Sequence, residues 1–188
     1  AQIREVVEAV LLHGSGRCDA IAAAHAHRMF ARADLELLHE VDERLLATKL
    51  LMPARKASLS CGRQLAKLAP QVWPHELLDP FCREVQSREA GNLAVVAAAL
   101  SASKGISIEN TVLAELRGAA SGLFSAAVRL GRLGPTEAQV HLHQCGPAMV
   151  RAAARALNLG LDDMSSTTLE LDIAMLQLQS NPLRLFAT

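Results

Sequence analysis

The segment Arg129–Cys145 reads RLGRLGPTEAQVHLHQC and places His141, His143 and Cys145 within a few residues of its end. Imidazole and thiolate are the ligands that zinc and nickel favour, and a Cys/His pair is also the core of a thiol nucleophile. On a helix, His141 and Cys145 are i and i+4 and share a face, whereas His143 points elsewhere. Such a helix offers at most two ligands to one metal, and the sequence identifies no third or fourth. A nucleophilic Cys145 needs an orienting group and an oxyanion site, and neither is recognisable. The plainer reading, a helix with one half-buried face, is preferred, and no catalytic or metal residue is assigned.

Other candidates meet similar objections. His25 and His27 diverge on a helix, so a surface or interface role is expected for them rather than ligation. LDDMSS at 161–166 resembles an aspartate-rich magnesium motif, but Ser166 stands where a further Asp is needed; Asp162 and Asp163 read as loop carboxylates near a helix start. No G-x-x-x-x-G-K-[ST] is present, and GRLG is too short to cradle a phosphate.

Composition narrows the function classes. The 188-residue chain can bury a real core, and its hydrophobic content of 51% excludes a disordered polymer. Its 19 basic and 19 acidic residues give no excess charge to attract nucleic acid, and 3% aromatics with no Tyr leave no base-stacking surface. Cys18, Cys61, Cys82 and Cys145 form no C-x-x-C pair and read as free, buried thiols in a reducing compartment. LAVVAAAL at 93–100 is too short to span a membrane. Ala1 is not Met and already lies in helical pattern, as in a fragment lacking its natural beginning.

The elements that must position these residues are helices. Ala and Leu dominate over β-branched residues, and no strand pattern survives. QIREVVEAVLLH sets Ile3, Val6, Val7, Val10 and Leu11 on one stripe, stopped by Gly14 and Gly16. Asp19 and Asp34 are expected N-caps, and Pro53 suits a first turn. Three prolines mark PQVWPHELLDP as a loop. An apolar helix follows from Gly91 to Lys104. Ser107 caps a long one to Arg129, whose Gly118, Ser121, Gly122, Ser125 and Ala126 are expected to admit a close neighbour. Thr136 is expected to cap the next pattern, with a break near Gly146 before Pro147. A final helix, LELDIAMLQLQ, precedes the tail SNPLRLFAT. The expectation is an all-α bundle of about seven to nine helices, one domain over 1–188 with a C-terminal tail at 180–188. In that tail Leu183, Leu185 and Phe186 flank Arg184. They form either a strap on the chain's own core or an anchor for a partner.

Three segments in order resemble the urease accessory protein F family. ARKASLSCGRQLAKLAP carries the pattern Arg-x-x-Ser-x-x-x-Gly-Arg-x-Leu at Arg55, Ser58, Gly62, Arg63 and Leu65. SAAVRLGRLGPTEAQ matches the family's Ala-Val-Arg-Leu and following turn at Arg129, Leu130, Leu133, Gly134, Thr136 and Gln139, with Arg132 and Pro135 departing from it. LDIAMLQLQSNPLRLF keeps the spacing from Asp172 to Phe186, with Gln177, Leu178 and Gln179 in place of Arg-His-Glu. From Ala54 onward order and spacing agree. Before it the likeness is helical texture, and the family's Leu-Pro-x-Gly-x-x segment is not visible.

The resemblance implies an all-α, cytoplasmic, non-enzymatic protein that forms a homodimer. It would bind urease accessory protein D (called H in some species) through the C-terminal region, with Arg184, Leu185 and Phe186 in the contact. That complex would recruit the GTPase accessory protein G and present nickel to apo-urease, with no cofactor of its own and the metal handled mainly by its partners. No nucleic acid or membrane is implied. The competing class is a small-molecule-binding all-α regulatory domain, which needs an apolar cavity with convergent polar groups.

Overall fold

The computed structural model describes residues 2–88 and 90–161. These form nine α-helices and, among the described residues, no strand. They are α1 (Gln2–His13), α2 (Ser15–Ala31), α3 (Leu35–Thr48), α4 (Met52–Val72), α5 (Leu78–Ser87), α6 (Leu93–Ser103), α7 (Ile108–Arg129), α8 (Pro135–Gln144) and α9 (Gly146–Asn158). The final helix and tail expected from sequence lie outside the described residues, as do Asp162, Asp163, Asp172, Arg184, Leu185 and Phe186.

Helix α2 is the centre of the bundle. It packs on α6 and α7 most extensively, then on α3, α1 and α9. Its Ala20, Ala22, Ala23, Ala24 and Ala26 are all buried, so on most sides it meets its neighbours with no more than a methyl group, Ile21 being the large exception at its middle. A helix surrounded in this way needs small residues all round, since bulk on any side would push a neighbour outward. Larger groups from the surrounding helices fill the spaces further out: Leu11, Leu38, Leu45, Phe81, Leu116 and Phe124 are fully or almost fully buried in one continuous core. The sequence placed close packing on α7, and there the structure differs. Gly118 and Gly122 are exposed, and a Cβ added at either would touch nothing within 4 Å. The buried side of α7 instead carries Val112, Leu116, Ala120 and Phe124. The small residues face away from the core, so α7 presents a smooth outer side.

Several local expectations hold. The Asp34 carboxylate accepts from the Leu37 N–H (3.0 Å), and the Ser107 hydroxyl accepts from the Asn110 N–H (3.3 Å). Pro53 lies in the first turn of α4, and the chain breaks between α8 and α9 at Cys145. Others do not hold. Gly14, not Asp19, precedes α2. Asp19 lies inside that helix, where its carboxylate pairs with Lys49 Nζ at 2.5 Å. Gly134 rather than Thr136 starts α8, because Pro135 suits the first helical position and Glu137 accepts from the Gly134 N–H at 3.4 Å. The proline-rich stretch is a loop only over 73–77, and its two ends belong to α4 and α5. Pro70 falls in the last turn of α4, where a kink displaces only the few residues that remain, and Pro80 falls in the first turn of α5, where the missing N–H would have had no partner. The four thiols are free, but Cys61 is exposed and only Cys18, Cys82 and Cys145 are buried.

Two measurements follow from α7. Gly118→Leu replaces an exposed mid-helix glycine by a better helix former, so the urea midpoint of the isolated chain should rise, by up to about 1 kcal/mol in stability; a fall would put this face against the chain's own core. On the inner side, burial and the nearby Asp19 carboxylate push the Glu115 carboxyl up to about 7, with Lys49 opposing them. Folded Glu115 therefore holds a proton that the unfolded chain has released, and stability should decline as pH rises from the ordinary carboxylate range through about 7. Glu115→Gln should raise the melting temperature at pH 8 and give little or no gain at pH 5, which parallel melting curves would read.

Candidate functional site

The first conserved-pattern segment lies on one side of α4, and its residues are used to hold the chain together. Asp42, on α3, is a fully buried carboxylate. Its Oδ2 accepts from the Gly91 N–H at 2.5 Å, and its Oδ1 accepts from the Asn92 N–H at 2.8 Å and from Asn92 Nδ2 at 2.7 Å. Asn92 Nδ2 also donates to the Asp42 backbone carbonyl (3.1 Å). Ser58 Oγ donates to Asn92 Oδ1 at 3.1 Å and accepts from the Leu93 N–H at 3.4 Å. Both the buried acid and the buried amide are thereby satisfied, as burial of such groups demands.

Gly62 and Gly91 make this approach possible. A Cβ at Gly62 would collide with the Gly91 carbonyl oxygen and come within 2.7 Å of Leu93 N and 2.8 Å of the Asn92 carbonyl carbon. Gly91 has φ +107°, a conformation other residues rarely adopt. Arg63 donates through Nε to the Ala90 carbonyl (3.2 Å) and through Nη2 to the Arg88 carbonyl. Arg55 donates to the carbonyls of Lys49 (3.2 Å) and Leu46 (3.1 Å), closing the C-terminal end of α3. Arg55, Ser58, Gly62 and Arg63 thus join α3, α4 and the start of α6. Sequence reasoning missed Asp42 and Asn92. The available signals were an acid in the apolar stripe of LELLHEVDERLL and an Ala-Gly-Asn immediately before an uncharged apolar run.

The second segment forms the elbow between α7 and α8. Gly131, at φ +66°, turns the chain after Leu130. Arg129, Gly134, Thr136 and Gln139 are all exposed there. Arg129 and Gln139 line one groove of about 400 Å³ with Ser121, Ser125, Phe124 and Leu142. On the other flank of α7, Leu123, Ala127 and Leu130 face Ile3 and Val6 of α1 across a smaller apolar groove of about 160 Å³. The outer side of α7, with its two bare glycines, therefore lies between two shallow grooves.

The His/Cys run takes its place beside the first of these grooves. The His141 ring stacks on Phe124, with centroids 6.1 Å apart and planes at 23°. Its Nδ1 lies 3.1 Å from Gln144 Oε1, and its Nε2 3.7 Å from Glu137 Oε1. His143 is exposed and Cys145 buried. Burial, with the Glu8 carboxylate adding to it, raises the Cys145 thiol pKa, and burial with Asp79 raises that of Cys82 to about 11. Protonated, enclosed thiols are poor nucleophiles. Among the described residues no three His, Cys, Asp or Glu side chains are grouped closely enough to hold a metal ion. His25 and His27 are half-buried: His25 Nε2 bonds the Leu159 carbonyl (2.9 Å) and His27 Nε2 the Ile106 carbonyl (2.8 Å), so both tie α2 to other parts of the bundle.

The family model described as UreF matches residues 1–146. The chain belongs to the urease accessory protein UreF family. The chain is 34% identical over 189 aligned positions to urease accessory protein UreF of Rhodopseudomonas palustris (strain TIE-1), covering 99% of this chain and 77% of that protein. It is 33% identical to UreF of Bradyrhizobium sp. (strain BTAi1 / ATCC BAA-1182), over 99% and 76% of the two chains. UreF of Trichodesmium erythraeum (strain IMS101) is 29% identical over 99% and 81%. The UreF match thus includes the region before Ala54, where sequence reading found only helical texture. Among the described residues no helix is long and apolar enough to cross a membrane.

The α3–α4–α6 junction gives a direct test. Gly62→Ala should overpack it and cost at least about 1–3 kcal/mol. Asp42→Ala should cost about 3 kcal/mol or more, because the Gly91 and Asn92 donors lose their acceptors. Urea unfolding midpoints would measure both; an unchanged midpoint in either variant would contradict this arrangement.

Proposed function

We propose that the chain is a non-enzymatic adaptor in urease maturation. It binds urease accessory protein D (or H), recruits the GTPase accessory protein G, and so serves nickel insertion into apo-urease, acting in the cytoplasm as a homodimer. Nickel is cargo in this reading and no resident cofactor is required. The observation that carries it is membership of the UreF family, whose curated relatives are named as urease accessory proteins. The chemistry of the described residues is compatible with it. Burial raises the pKa of the Cys82 and Cys145 thiols, His141 is engaged by Phe124 and Gln144, and the motif residues of α4 are spent on internal bonds.

The smooth side of α7 is a suitable contact surface in this reading. Bare glycines let a partner helix approach the backbone, and the flanking grooves accept its side chains. Arg184, Leu185 and Phe186 supply a second contact, to accessory protein D, with Phe186 filling an apolar pocket and Arg184 meeting a carboxylate or carbonyl. A small-molecule regulatory domain would instead need an enclosed cavity; the grooves along α7 are open.

Size-exclusion chromatography of the chain with accessory proteins D and G should give one co-eluting complex, and separate elution at micromolar concentration would reject the adaptor reading. Deleting residues 181–188 should weaken binding of accessory protein D, measured by calorimetric titration, far more than it lowers the melting temperature. A sharply lowered melting temperature with normal binding by the remaining folded fraction would make the tail a strap on the core.

A further inference from the structure

A different cleft lies where the α1–α2 elbow meets the end of α9. It measures about 640 Å³ and is lined by Leu12, His13, Arg17, Arg155, Asn158 and Leu159 among others. Its walls are of two kinds. Leu12 and Leu159 supply an apolar surface, while Arg17, Arg155, His13 and Asn158 supply hydrogen-bond donors. Among the described residues no carboxylate lines it. Arg17 and Arg155 form no ion pair with any described residue. A guanidinium stays charged at any ordinary pH, so two positive charges share one cleft with no counter-charge among the described residues. The wall is also fixed in place. His25 holds the Leu159 carbonyl, and Arg28 Nη2 holds the Leu157 carbonyl at 2.6 Å, which anchors the end of α9 to α2.

We propose that this cleft binds an acidic, leucine-rich segment of a partner protein, with carboxylates on Arg17 and Arg155 and an apolar side chain between Leu12 and Leu159. Guanidinium and carboxylate match in geometry, and each such pair adds a charge-assisted bond to a surface that is already in position. The other anionic partners fit less well. Nucleic acid would meet a chain of zero formal net charge with one Trp and no Tyr. A small anion would be left largely uncovered, because the cleft is open along one side and small-molecule sites enclose most of their ligand. The proposal goes beyond the urease reading and stands on the cleft alone.

The test uses the full chain with nitrogen-15-labelled arginine. It is titrated with a short synthetic peptide of alternating leucine and glutamate, with the glutamine counterpart, and with inorganic phosphate. The acidic peptide should shift the Arg17 and Arg155 Nε–H signals and bind about tenfold more tightly than the glutamine peptide, the size of one charge-assisted pair. Arg17→Gln/Arg155→Gln should abolish the difference with an unchanged melting temperature; should that double variant unfold, Arg155→Gln alone, on an exposed side chain, should reduce it. Equal binding of the two peptides, or an acidic peptide that leaves both signals unmoved, overturns the proposal. Phosphate moving both signals where the acidic peptide does not would also overturn it, in favour of a small-anion site. The chain's own Asp162 and Asp163 are the remaining rival. If Asp162→Asn/Asp163→Asn tightens peptide binding about tenfold, the cleft serves the chain's own acidic stretch and the partner proposal fails.

Discussion

Asp42 is a carboxylate without access to water, and the arrangement of α3, α4 and α6 depends on it. A buried charge is tolerated only where donors surround it, and here the backbone of Gly91 and Asn92 and the Asn92 amide provide them. Those donors point inward only because the chain passes through Gly91 in a left-handed conformation and α4 comes close enough at Gly62. Ser58 then occupies the remaining acceptor of Asn92. Each member needs the others: remove the close approach and the acid loses its donors, remove the acid and the turn loses its reason to bend inward.

A second constraint acts through size rather than charge. The alanines of α2 set how near α6, α7 and α3 can lie, and the larger residues of those helices point into the remaining spaces. The consequence for function is indirect but physical. With α2 saturated by neighbours and α4 tied to α3 and α6 by its motif residues, the open grooves described above fall along α7 and at the α1–α2 elbow. The motif residues of this UreF chain accordingly divide in two. Those on α4 keep the bundle in shape, and those at the α7–α8 elbow stand in solvent.

Helix existence was legible from sequence because the 3.6-residue period and several caps are local properties. Asp34 and Ser107 cap as their side-chain chemistry dictates. The failures have a common cause. Pro70 and Pro80 read as loop markers, yet position within a helix decides the effect of proline, and both sit in end turns. α5 went unread although Leu78, Phe81, Cys82 and Val85 repeat at helical spacing. Small residues on α7 and on α2 look alike in a sequence, but only tertiary contacts decide which set receives a neighbour. The same holds for Asp42 and Asn92, which are separated by 50 residues and become a unit only on folding. The carbonyl partners of His25 and His27 lie on other elements and could not be read locally.

The contact between Asp42 and Asn92 spans 50 residues and encloses the whole of α4 and α5. Closing so long a loop costs entropy that is recovered only when both ends meet. Helices α4 and α5 pack on each other and on α6, and α4 has no extensive contact with the central α2. They are therefore joined to the bundle through α6 and the Asp42–Asn92 junction more than through α2. Breaking that junction should loosen both helices while α2, α7 and α9 keep their mutual packing, so amide protons of α4 and α5 are expected to exchange with solvent ahead of those in the centre of the bundle.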